Sequence, residues 1–201
     1  MKEYLISYCQ DGPDWNRIPW LEVSHAYYQT PPYVRAYAQL AYDHQSLFVH
    51  LRMDVPEVRA EERGTIGAPC NDSCLEFFFC PVPGDPRYMN IEFNLNGCMY
   101  LGIATSLDDL TRLLPDQAGN PFEPSIDTTT TGWEITYRVP FAFIRRFFPS
   151  FQAVGGQSIR ANCYACAEQA VPPYFLSWNP VETEQFSFHQ SQCFGLMTFS
   201  Q

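Results

Sequence analysis

The chain has 201 residues, 46% hydrophobic, 16% aromatic and 17% charged, with a formal net charge of −10. That balance supports a substantial core and argues against disorder. A single lysine, Lys2, among twelve basic residues argues against a nucleic-acid partner, which needs clustered cations, and an acidic surface disfavours an anionic membrane.

Residues 1–8 lack the apolar core of a signal peptide, and no stretch reaches transmembrane length. If Met1 is the native start, the expectation is a cytoplasmic protein; if a signal peptide was removed, a secreted or periplasmic one. Residues 35–42 and 46–53 read as a hairpin around Asp43-His44-Gln45, and 54–72 as a long loop. Residues 73–80 form a strongly apolar strand ending at Pro81. Residues 88–95 and 98–104 pair across Asn96-Gly97, the best hairpin signal in the chain. The polar stretch 105–120 holds a short helix. Residues 133–139 alternate cleanly, with Trp133, Ile135, Tyr137 and Val139 on one face. Residues 140–148 are the one convincing helix, with proline at its first position. Strands follow at 158–167, 175–178 and 193–199. Seventeen prolines and eleven glycines punctuate these elements. The reading is all-β, a β-sandwich or jelly roll with one short helix, as a single domain over 1–201.

Eight cysteines show no repeating framework. Cys74, Cys80, Cys98 and Cys163 sit in apolar runs, where free cysteine acts as a small hydrophobe. The Cys163-Tyr164-Ala165-Cys166 spacing lacks a second CxxC and a helix-opening context, so it is read as structural.

Strand alternation points to a binding face. Met89, Ile91, Phe93 and Leu95 oppose Asn90, Glu92, Asn94 and Asn96; Ile159, Ala161, Cys163 and Ala165 oppose Arg160, Asn162, Tyr164 and Cys166. On the preceding strand Leu75, Phe77 and Phe79 oppose Cys74, Glu76 and Phe78. An antiparallel sheet ordinarily shows a polar face to water, but asparagines at alternate positions are poor strand formers. Amides and acids beside aromatic rings suit a saccharide, whose hydroxyls both donate and accept and whose C–H faces pack on rings. Trp178, where a short strand enters a loop, can either stack on such a ring or sit in the core. Trp15 and Trp20 are read as closing one end of the sandwich, and Trp133 as core.

Pro19-Trp20, Ala38 to Asp43, Leu47-Phe48-Val49, Asn71 to Phe78, Asn90 to Asn94, Gly132-Trp133-Glu134, Arg160-Ala161-Asn162, Leu176 to Pro180 and Phe194-Gly195-Leu196 follow one another in an order and spacing that resembles carbohydrate-binding module family 9, in particular its stand-alone bacterial members. The resemblance covers nearly the whole chain. It implies a β-sandwich that binds the ends of glucan or xylan chains, and an association with xylanases and polysaccharide catabolism. By motif position it implies Glu76 and Asn94 as sugar-binding groups and Trp178 as one of two sandwiching tryptophans, with polar contacts from Asn162 and Tyr164. Glu92 and Arg160 complete the candidate set on the polar faces. Two positions depart from the family: Pro69-Cys70 stands where the second tryptophan belongs, and Glu92 where an arginine does. The family often carries structural calcium; Asp43 and Asp72 are acidic candidates, but no compact oxygen-ligand loop is present, and no cofactor or metal is assigned.

The leading expectation is therefore non-catalytic binding of a mono- or oligosaccharide, roughly micromolar to millimolar in strength, with the protein partner unknown. A glycoside hydrolase with Glu76 and Glu92 as its acids is an alternative, and a haem-binding sandwich using His50, Met53 or His189 is a second.

Overall fold

The computed structural model describes residues 1–114, 120–184 and 186–201. Among these the chain forms β1 (Glu3–Tyr8), β2 (Leu21–Val23), β3 (His25–Tyr27), β4 (Arg35–Tyr42), β5 (Ser46–Asp54), β6 (Cys74–Cys80), β7 (Tyr88–Asn94), β8 (Met99–Ala104), β9 (Thr111–Arg112), β10 (Ser125–Thr128), β11 (Gly132–Pro140), helix α1 (Phe141–Phe147), β12 (Ser158–Ala167), β13 (Tyr174–Ser177) and β14 (Gly195–Phe199). The expected strands are present within a residue or two, as is the helix, where Pro140 is the N-cap. The helix expected in 105–120 is a single 3-10 turn at Leu107–Asp109, closed by reciprocal capping between Ser106 and Asp109; residues 115–119 lie outside the described residues.

The strands build a β-sandwich. One sheet runs β10-β11-β5-β4 with β2 beside β4; the other runs β14-β12-β6-β7-β8-β9, with β13 and then β3 continuing from the far end of β12. Strand β1 joins them. Its residues Glu3 to Ile6 pair in parallel with β14, then Ser7 and Tyr8 pair with Ala41 and Tyr42 of β4.

The side chains between the sheets are those that alternation assigns inward. Leu40, Val49, Leu51 and Ile135 of one sheet share a core with Leu75, Phe77, Ile91, Phe93, Ala161 and Cys163 of the other. Each such Val, Leu, Ile or Phe side chain contributes about 1.5–3 kcal/mol on burial. Trp133 is fully enclosed there. Trp15 and Trp20 do not close an end of the sandwich; their rings lie 5.1 and 4.8 Å from that of His50, which points away from the core on β5. A second apolar cluster, with Phe78, Tyr88, Tyr164, Val181, Phe188 and Phe194, covers part of the opposite face of β6, β7 and β12. The face read as polar from sequence is thus largely roofed by the segment before β14.

Candidate functional site

Register decides which side chains meet. Glu76 of β6 stands directly opposite Glu92 of β7 and Tyr164 of β12; Glu92 stands opposite Tyr100 of β8, and Tyr164 opposite Ser177 of β13. Directly opposite residues in an antiparallel ladder share a face. The outer face therefore carries one row of Tyr100, Glu92, Glu76, Tyr164 and Ser177. Alongside it runs Asn94, Cys74, Cys166 and Phe175, and on the other flank Asn90, Phe78 and Asn162, with Arg160 beyond. Six of the seven candidate residues share this face.

Trp178 does not. Its backbone amide bonds the carbonyl of Cys163, and its ring packs in the core between the sheets, 4% exposed. Gly195 makes room for it: a Cβ there would lie 2.5 Å from Trp178 Cζ3. Because Ser177 faces outward beside Tyr164, the next residue turns inward. The expected stacking platform is a core tryptophan.

Two candidate amides are fully engaged within the protein. Asn94 donates to the carbonyl of Glu62 and to Asp72 Oδ2 (2.9 and 2.8 Å), and its Oδ1 accepts from the Cys98 amide (2.9 Å). Asn162 donates to the Asn179 carbonyl and accepts from the amides of Cys163 and Asn179. The first ties the long 54–72 loop to β7; the second fixes the turn after β13. This explains asparagines in strands, where propensity disfavours them. Replacing Asn94 by alanine strips bonds from a buried carboxylate and a buried amide, and the expected loss is about 1–3 kcal/mol, measured as a lower midpoint in urea unfolding.

Tyr164 donates to the Phe188 carbonyl, and its ring stacks on that of Phe188 at 4.1 Å. Arg160 donates to the Ser191 carbonyl. Both hold the roof segment down. A pair remains. Glu76, 2% exposed, accepts from Cys166 Sγ at 3.0 Å, and Glu92, 6% exposed, accepts from Asn90 Nδ2 at 2.7 Å. Burial raises the pKa of Glu76 from its usual 4.5 to about 7; burial and the Glu76 charge opposite raise that of Glu92 well above its own usual value. Both shifts favour a proton held between the two carboxyl groups, in which form one donates and the other accepts.

Residues that sequence reasoning missed lie on the β13 side of the same face, across β12 from the acid pair. Phe175, Phe186 and Tyr28 pack edge to face at 5.2–5.7 Å, with Phe175 opposite Cys166. Tyr28 is 74% exposed and adopts φ 53°, a left-handed backbone that costs a non-glycine residue about 1–2 kcal/mol. The doublet Tyr27-Tyr28 and the run Phe186-Ser187-Phe188 were the available signals. A hollow of about 710 Å³ lined by Tyr33, Val55, Arg59, Gln169 and Tyr174 includes none of the candidate residues.

The other expected ligands disperse. His50 lies outside the β10-β11-β5-β4 sheet, bonded to Gln39 and beside Glu134; Met53 lies in the core beneath the Tyr174 hydroxyl; His189 bonds Tyr88 over the outer face of β7. No two of these share a face to hold haem. Asp43 caps a turn through the amides of Gln45 and Ser46, and Asp72 accepts from the amides of Glu61 and Glu62 with Arg59 alongside. Cys163 faces the core while Cys166 faces outward, so the CxxC pair cannot converge.

The family model for carbohydrate-binding family 9 matches residues 13–199. No curated protein matches the chain. Among solved structures, a Bacteroides uniformis ATCC 8492 protein to which carbohydrate binding is attributed superposes with a TM-score of 0.80 at 22% identity, covering 99% of each chain. A family 9 carbohydrate-binding module from Caldicellulosiruptor kristjanssonii in complex with glucose superposes at 0.69 with 14% identity, covering 99% of this chain and 96% of that one. The same organism's module in complex with cellotriose gives 0.69 at 13%, covering 99% and 94%. These structures share the sandwich, and the match over nearly the whole length places this chain in carbohydrate-binding family 9.

Proposed function

We propose that the chain binds a saccharide without catalysis, on the outer face of β6, β7 and β8. Glu92 and Glu76 supply the hydrogen bonds, and Tyr28 and Phe186 the stacking rim. The observation that carries this reading is the acid pair: two buried carboxyl groups directly opposite each other, with no ion pair to either among the described residues. Burying such groups costs several kcal/mol, and a fold that bears that cost has a use for them in a ligand. A shared proton makes one acid a donor and the other an acceptor, which matches a sugar hydroxyl.

Glucose- or xylose-type units are the proposed ligand, in keeping with the glucose and cellotriose held by the two Caldicellulosiruptor complexes. A floor so enclosed suits the end of a chain better than its middle, and such a binder would serve polysaccharide breakdown by an enzyme that accompanies it. Hydrolysis is the weaker reading: a glycosidase sets one acid on each side of the scissile bond, whereas both acids here rise from one floor.

Calorimetric titration with glucose, xylose, cellobiose and xylobiose tests this. At least one is expected to bind in the micromolar to millimolar range. Tyr28→Ala and Glu92→Gln are each expected to weaken it about tenfold or more, about 1.4 kcal/mol. Undiminished binding in both folded variants would reject this site.

A further inference from the structure

Register brings a second chemistry to the same face. Cys74 and Cys166 are directly opposite on β6 and β12, and Glu76 follows Cys74 by two residues, on the same side of the strand. One ligand atom from each lies within 4.8 Å of the others, and all three residues are buried. All three side chains sit on paired strands, so their backbone positions are fixed by the ladder rather than by a loop. We propose that Cys74, Cys166 and Glu76 form a binding site for a thiophilic divalent cation of the zinc class.

The donor set selects the metal. Two sulfurs and one carboxylate oxygen suit Zn²⁺ and exclude Mg²⁺ and Ca²⁺, which take oxygen alone. With Zn–S about 2.3 Å and Zn–O about 2.0–2.2 Å, tetrahedral coordination requires ligand atoms about 3.5–3.8 Å apart. The ligand atoms, all within 4.8 Å of one another, lie close to that spacing. Cys166 Sγ is already 3.0 Å from Glu76 Oε1, a contact in which the metal would replace the thiol proton. Uptake releases the thiol protons of Cys74 and Cys166 as the two sulfurs become thiolates.

Three protein ligands leave a fourth position. The next thiol is Cys70, half-buried on the 3-10 turn Pro69–Asn71, whose carbonyl lies 3.7 Å from Cys166 Sγ. This turn packs on both β6 and β12. The site shares Glu76 with the saccharide reading but does not rest on it, and it is tested without sugar.

The full chain, purified under a thiol reductant and freed of metal by a chelator, is titrated with Co²⁺ as an optical probe. The expected result is thiolate-to-cobalt charge-transfer absorption with tetrahedral visible bands, saturating at one equivalent and bleached by Zn²⁺. The absorption is lost in Cys74→Ser and in Cys166→Ser, and kept in Cys193→Ser. Circular dichroism checks the fold of each variant, and the unmodified protein supplies a second reading: its thermal midpoint rises with Zn²⁺ and not with Mg²⁺. Absence of charge-transfer absorption in the folded protein, its persistence in both serine variants, or recovery of a Cys74–Cys166 disulfide that Zn²⁺ does not prevent from forming would overturn the proposal.

Discussion

Trp178→Ala is expected to destabilise the protein by about 3–5 kcal/mol, the usual cost of emptying a buried aromatic site. The ring lies between the sheets, over Gly195, which has no side chain to fill the space left behind. β14 and β12 pair at that point, Gly195 opposite Ala161, so the cavity would open beneath a ladder that also anchors β1. Chemical unfolding measures the loss directly. Trp178→Phe, which keeps most of the volume, should cost less and leave saccharide binding intact. A Trp178→Ala protein of unchanged stability that no longer bound sugar would restore this tryptophan as a platform and contradict its place in the core.

The second large effect is a stability that falls as pH rises. Glu76 is raised in the folded protein from 4.5 to about 7, and Glu92 is raised well above its usual value by burial and the Glu76 charge. Between the unfolded and folded pKa of each, the unfolded chain has released a proton that the folded protein still holds. The folded state therefore loses ground with rising pH, and the full penalty is present above the folded pKa. For Glu76 alone it is about 3 kcal/mol, at about 1.4 kcal/mol per unit. The groups facing the pair are Cys74, Cys166, Tyr164, Tyr100, Asn90 and, by charge, Glu168 and Arg112; the thiols, Asn90 and Arg112 ease the ionised form, but burial outweighs them. His189 acts oppositely: burial lowers its pKa to about 4, so it favours the folded state as pH rises from 4 toward 6.5. Above 6.5 the acids act without this offset. Glu92→Gln removes one ionisable group and the repulsion it exerts on Glu76. Its stability relative to the parent should rise steadily from pH 5 to pH 8, and the decline above pH 6.5 should flatten. An equal effect of the substitution at pH 5 and pH 8 would show that the pair does not carry this penalty.

Much of the sandwich was legible because alternation is strict where both sheets bury one face. The 88–95 and 158–167 patterns placed Asn90, Glu92, Arg160, Asn162 and Tyr164 on their common side. Strands β2, β3, β9 and β10 were not legible, being two to four residues long, nor was β1, where Ile6 alone is buried. Trp178 was misread because the phase of a four-residue strand depends on its partner: only the Ser177–Tyr164 register shows which way residue 178 turns. The asparagines were misread for a related reason. Their partners, Glu62, Asp72 and Asn179, are fixed by loops far along the chain, which no local pattern encodes. The aromatic edge depends on Tyr28 and Phe186 meeting across more than 150 residues, and the Cys74–Cys166 pair on two strands 92 positions apart.

Backbone amide shift mapping by NMR during titration with cellobiose tests the binding site most directly. Progressive, saturable shifts gathered on the outer sides of β6, β7 and β8 and on the Tyr28 turn, absent in Glu92→Gln, are the expected result. Shifts confined to the hollow beside Tyr33 and Tyr174, or spread over the β10-β11-β5-β4 sheet with the acid pair undisturbed, would contradict it.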